Sequence, residues 1–246
     1  MRLSIKEWHL KTGCRKANLK LVKTDFMKFL SIVYFILFSS FVLSQTDEDK
    51  MLKAMCEEFD RTAHFIDEVR MDMLYEKFLK AYYSQFEESE LDEIEDRIFY
   101  RFQNICQSFR KYLIESNPPQ TDDWVFMEER PEPELTLGSL QKFKLQNSFY
   151  YIEHSGSVTQ VYLSEDGKWK DVFSDGSQSE SFFRWKEDGI FELEFIRSNN
   201  HTRKDFSQPG DRYFYEVLSE GDGFYWVLVQ IPGQESFYKF RLYLWE

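Results

Sequence analysis

Between Lys142 and Trp245, apolar and polar positions alternate in short runs rich in aromatic and β-branched residues. A period of two puts one set of side chains on each face of a strand, so these runs predict strands. Asp-Gly dipeptides punctuate them at 166–167, 175–176, 188–189 and 222–223. Glycine takes positive φ without steric penalty, so such a dipeptide lets the chain reverse and pair with itself. The stretch therefore predicts an antiparallel meander of roughly eight strands, interrupted at length only by 199–210. One hairpin has a readable register. A three-residue loop, Glu187-Asp188-Gly189, sets Trp185 opposite Phe191, Phe183 opposite Leu193 and Arg184 opposite Glu192, matching apolar with apolar and charge with opposite charge.

Upstream the period changes. Asp47 to Glu115 contains no Pro or Gly and is rich in Glu, Lys, Leu, Met and Phe, which favours helix. Leu91, Ile94, Ile98, Phe102, Ile105, Phe109 and Leu113 recur every three or four residues and predict one buried face. Ser89 with Asp92 is the expected capping box ahead of it. Ile66, Val69, Met73, Phe78, Tyr82 and Phe86 give a second such face, and Leu52, Met55 and Phe59 a third. Asn117-Pro118-Pro119 stops the helices and opens a stiff linker, with Trp124 to Met127 as an opening strand.

The sharpest apolar run is Phe29 to Leu43, followed by Ser44-Gln45 and an acidic stretch. It is short for a bilayer span of roughly 20 residues and suits a signal-peptide core cleaved after Ser44, with an uncleaved anchor as the alternative; Met27 is the expected initiator, and a long cytosolic lead before it the alternative. The balance of 42% hydrophobic to 30% charged residues is that of a globular chain. Removal of 1–44 leaves 23 basic and 41 acidic residues, a net charge of −18. Such a chain repels phosphate backbones, which excludes nucleic-acid binding. The expected organisation is a lead and signal peptide (1–44), an acidic helical module (45–117), a proline-containing linker (118–134) and a β-meander domain (135–246).

Export changes the cysteine count. Cys14 leaves with the lead, so Cys56 and Cys106 remain, an even number that implies a disulfide in an oxidising compartment. Two unpaired buried thiols are the alternative. On a straight helical hairpin turning near Glu88, Cys56 would lie about 48 Å and Cys106 about 27 Å from the turn, too unequal to meet. A break between Phe59 and Ala63, with Asp60 or Thr62 as N-cap, brings them together and predicts three packed helices.

Phe149-Tyr150-Tyr151, Phe183-Arg184-Trp185-Lys186 with Asp188 and Phe191-Glu192-Leu193, and Tyr213-Phe214-Tyr215-Glu216-Val217-Leu218 resemble segments of small exported β-meander proteins of Bacteroidetes, which are lipocalin-like. The resemblance covers about the last hundred residues and implies fold and compartment rather than a chemistry. The expected fold class is α+β: a three-helix module, then a lipocalin-like barrel or half barrel.

No residue grouping announces catalysis. His64, His154 and His201 each stand alone, and no His-Glu-x-x-His run or nucleophile elbow occurs. Trp169, Trp185, Trp226 and Tyr215 are the candidate ligand contacts, since such rings line apolar cups. Glu192 and Glu194 share a strand face as glycosidase carboxylates do, although a cross-strand ion pair with Arg184 is the preferred account of Glu192. Asn200-His201-Thr202 fits the N-glycosylation pattern. The sequence thus points to an exported, periplasmic or extracellular, non-enzymatic protein that binds a small apolar or aromatic ligand or an envelope partner. It carries no cofactor or metal, and no membrane span once the signal is cleaved. An envelope glycan hydrolase using Glu192 and Glu194, or a purely structural envelope protein, is the alternative.

Overall fold

Among the described residues nine strands form one sheet: β1 (Trp124–Met127), β2 (Ser148–Ile152), β3 (Val158–Leu163), β4 (Lys168–Val172), β5 (Gln178–Glu187), β6 (Ile190–Ser198), β7 (Arg212–Glu220), β8 (Phe224–Gln230) and β9 (Phe237–Leu244). The computed structural model describes residues 47–187 and 189–245. The expected signal segment lies outside them, and no helix among the described residues is long and apolar enough to cross a membrane. The chain divides into residues 1–48 and a compact unit of 49–246, which carries the whole sheet.

Strands β2 to β9 pair antiparallel, each with the next, and β9 returns to β2 through Phe149↔Leu244 and Tyr150↔Tyr243. The meander is thus a closed eight-stranded barrel with no free edge of its own. Strand β1 takes the rest of the β9 edge, pairing Trp124 with Phe240 and Met127 with Phe237. All four Asp-Gly glycines have positive φ, between 74° and 83°. The β5–β6 register is the expected one, Phe183↔Leu193, Arg184↔Glu192 and Trp185↔Phe191. An irregularity after Trp185 also brings Glu187 opposite Ile190, so Glu187 belongs to β5 and not to the loop as expected; Asp188 lies outside the described residues.

Residues 49–61 are helical (α1). They are followed by α2 (Asp67–Leu74), a π-helical turn (Tyr75–Leu79), α3 (Lys80–Tyr83), a 3₁₀ turn (Glu88–Glu90), α4 (Leu91–Ile105) and α5 (Gln107–Ser116). Cys56 and Cys106 are bonded, with Cα atoms 5.3 Å apart. The first helix stops at residue 61, inside the expected break. Thr62 is not an N-cap there: its hydroxyl donates to the carbonyls of Glu58 and Phe59 and closes the end of α1 instead. The capping box is formed by Glu87 and Glu90, two residues before the expected pair.

The face expected at Ile66, Val69 and Met73 is displaced. Ile66 and Val69 are exposed, while Arg70 and Leu74 are buried, and the π-helical turn shifts the stripe so that Phe78, Leu79 and Tyr82 pack on the core. The last helix breaks at Cys106, whose dihedrals are extended, rather than running to Leu113. No Gly or Pro marks that break; a buried cysteine tied to a distant helix sits there instead.

Two further helices occupy positions expected to be irregular or strand-forming. Leu137–Leu145 is α6, so the first barrel strand begins at Ser148 and not near Lys142. Its N-cap Thr136 accepts from the Ser139 backbone N–H, a local signal that strand alternation obscured. Within the interruption at 199–210 lies α7 (His201–Phe206), capped by Asn200.

Helix α6 closes one end of the barrel. Phe143 is 1% exposed and packs on Phe149, Trp185, Phe191 and Tyr225. Its burial stabilises by about 2 kcal/mol. At the other end α4, α5 and α7 lie over the strands. His201 contacts Asp96 at 3.1 Å, and Asn104 donates to the Tyr213 hydroxyl at 2.7 Å.

Candidate functional site

Strand parity decides what enters the barrel. Tyr151, Trp169 and Asp171, and Tyr213 and Tyr215, alternate inward on β2, β4 and β7. At the α6 end the inward rings of Phe149, Phe191 and Tyr225 meet Phe143 and fill the space. At the other end Ile114 of α5 and Phe206 of α7 border the interior without filling it, and a cavity of about 740 Å³ remains. Trp124, Tyr151, Trp169, Tyr215, Tyr238 and Phe240 supply its aromatic wall, and Arg110, Arg203 and Phe206 lie on its helical side. Asn117, Ser155 and Ser174 line it and are exposed, so it opens to solvent at that rim.

The cavity is apolar in its walls but contains ionised groups. Arg203 on α7 donates from Nη2 to both Glu153 carboxylate oxygens, at 3.0 and 3.1 Å, and approaches the Tyr151 hydroxyl at 3.4 Å. Burial opposes the Arg203 charge, but the Glu153 carboxylate and nearby Asp171 more than restore it, so its pKa stands above the ordinary value. Asp171 accepts from Trp169 Nε1 at 3.0 Å. Burial pushes its carboxyl up to about 6; Arg203 and the Trp169 hydrogen bond oppose the rise and Glu153 adds to it. Burial also pushes Tyr213 up to about 12 and holds Tyr151 well above its ordinary value, so both hydroxyls stay protonated. His154 meets Trp124 edge-on at 4.9 Å.

Asp171 yields a pH prediction. Its folded pKa lies above an unfolded value of about 3.9, so the native state holds the proton more tightly. The stability linked to this group is complete below about pH 4 and is lost as pH rises to about 6. Asp171→Asn keeps an acceptor for Trp169 and removes the buried charge. Relative to wild type it should gain about 1–2 kcal/mol more at about pH 8 than at about pH 4. Urea unfolding of both proteins at both pH values measures this, and equal differences would show that Asp171 titrates normally.

Of the four aromatic residues singled out from sequence, Trp169 and Tyr215 line the cavity. Trp185 packs in the plugged end against Phe143, Phe183 and Phe191. Trp226 faces outward, flanked by Lys239 and Arg241. Glu192 and Glu194 also point away from the interior. Arg184 and Lys186 hold Glu192 at 3.2 and 3.1 Å, while Arg184 and Arg212 hold Glu194. The Arg184 hydrogen bond keeps Glu194 below its usual pKa, so it is an ionised partner and not a proton donor. Asn200 caps α7 and donates to the Ser177 hydroxyl at 2.9 Å, so its side chain is engaged.

Arg110, Glu153, Asp171 and Arg203 belong to no motif legible in the sequence. Two weaker signals do point to them: parity with Trp169 places Asp171 on the interior face, and Arg110 interrupts the apolar stripe of its helix. The arrangement suits an organic molecule held between rings with polar groups at fixed points. Among the described residues, no group of three or more His, Cys, Asp or Glu is placed to hold a metal ion. Compared with known proteins, the chain matches no family model, no curated protein and no solved structure.

Proposed function

We propose that this is an exported, non-catalytic, lipocalin-like protein that holds a small ligand with an apolar or aromatic body inside its barrel. The observation that carries the reading is the asymmetry of the interior: one end filled by Phe143 and its neighbours, the other left as an aromatic-walled cavity of about 740 Å³ open at its rim. Ligand sites in proteins have this size and this mixture of apolar wall and few polar groups, and barrel mouths are among their usual places. The Cys56–Cys106 bond supports export, since such bonds persist in oxidising compartments. The ion pairs that hold Glu192 and Glu194 support a structural role for these carboxylates over the hydrolase alternative.

Trp124 and Trp169 make the test direct, because a ligand in the cavity touches both indoles. Titration with a panel of apolar and aromatic probes, lipids and sugars should give saturable tryptophan quenching by at least one apolar or aromatic member. Ser181→Phe projects a ring from β5 into the same space and should abolish that quenching with the far-UV circular dichroism retained. A panel without any saturable response would remove the proposal.

A further inference from the structure

Arg110 stands apart from the other charges around the cavity. Its Nε and Nη2 donate to the Gln103 carbonyl at 3.0 and 2.8 Å, and its guanidinium lies 5.1 Å from the Phe206 ring and 5.4 Å from the Tyr238 ring. No carboxylate among the described residues pairs with it. Arg203, by contrast, is matched by Glu153. The Tyr238 hydroxyl is buried beside Arg110, whose guanidinium is the donor that approaches it, and no acceptor takes the hydroxyl's own proton. The two residues are 8% and 6% exposed, and both line the cavity.

A buried cation without a counter-charge, next to a buried hydroxyl whose proton has no acceptor, destabilises a fold that gains nothing from either. The rings of Phe206 and Tyr238 offset part of this by cation–π attraction but supply no negative charge. We propose that Arg110 and Tyr238 form an anion-binding corner of the cavity, and that the ligand is an amphiphile with a single carboxylate on an apolar body. This rests on the reading of the cavity as a ligand site. The carboxylate accepts from Arg110 Nη1 and from the Tyr238 hydroxyl, a charge-assisted pair in which both donors gain an acceptor. A dianion such as a phosphate monoester suits the corner less well. One unmatched guanidinium faces it, and Glu153 and Asp171 on the same cavity repel a second negative charge.

The test compares 11-(dansylamino)undecanoic acid with its methyl ester on the full chain with its disulfide intact. The acid should bind at least about tenfold more tightly than the ester, since a charge-assisted bond is roughly twice as strong as a neutral one. Arg110→Gln should erase the preference. Tyr238→Phe, a milder change, should weaken the acid severalfold and leave the ester unmoved, and it decides the matter if Arg110→Gln does not fold. Equal binding of acid and ester to the wild type overturns the anion corner and leaves the cavity reading standing. An acid preference that survives Tyr238→Phe undiminished also overturns it. Binding of neither probe removes both.

Discussion

Arg101→Met should lower the unfolding free energy by about 3 kcal/mol, toward the lower end of what is lost when one member of a buried ion pair is removed. Arg101 lies on α4 with 6% of its side chain exposed. It holds Asp49 through Nε and Nη2 at 3.0 and 2.9 Å, binds Asp211 through Nη1, and donates to the Phe206 carbonyl at 3.3 Å. Burial alone would weaken its charge, but the hydrogen bonds to Asp49 and Asp211 carry its pKa above the ordinary value. Methionine preserves the stem and strips the charge, leaving two carboxylates facing each other across the gap. Each keeps about a quarter of its side chain exposed, 24% and 25%, so water softens the loss. Denaturant unfolding at neutral pH measures the effect. Adding Asp49→Asn and Asp211→Asn to the methionine variant should recover part of it, because the repulsion then disappears. A loss under about 1 kcal/mol would mean that Arg101 behaves as an exposed pair.

Replacing both Cys56 and Cys106 by alanine should cost about 4 kcal/mol. The bond joins residues 50 apart, and in the chain-entropy treatment a loop of that length restricts the unfolded chain by this amount. The two sulfurs link α1 to the junction of α4 and α5, so the helices between them lose their tether. Cys106 is fully buried and Ala leaves a small void, which adds to the loss. Thermal or urea unfolding of the oxidised wild type against the double variant measures the difference, and a loss below about 1 kcal/mol would contradict the entropic account. On the purified protein, thiol titration under denaturing conditions before reduction should find neither Cys56 nor Cys106 reactive. Two reactive thiols would undo both the bond and the argument for an oxidising compartment.

Turn chemistry and short-range pairing are legible in the order of residues alone. Gly189 needs positive φ, and that need together with the matching of Phe183 to Leu193 and Arg184 to Glu192 sets the hairpin register. The helix break after residue 61 follows from two cysteines that have to meet. Other features mislead. The stripe at Ile66 and Val69 is periodic in the sequence, yet Arg70 and Leu74 are the residues buried there, and a π-helical turn follows directly at Tyr75–Leu79. Helix α6 hides inside an alternating stretch although Thr136 and Ser139 cap it.

By itself, then, the sequence determined what depends on neighbours in the chain: strand period, Asp-Gly reversals, the register of one hairpin, the helical composition before residue 117, and the pair of cysteines. These are set by steric limits on φ and by side-chain periodicity, which act over a few residues. Only the tertiary structure decided that β9 returns to β2, that Phe143 fills one end of the barrel and that the other stays open. Only it placed Arg110, Arg203, Glu153, Asp171 and Tyr238 around one cavity. Those residues come from two helices, the turn after β2, and strands β4 and β9, separated by up to 128 positions between Arg110 and Tyr238. Their charges and hydroxyls interact through space within a desolvated interior, and the strength of such interactions depends on distance and burial, quantities that exist only after the barrel has closed.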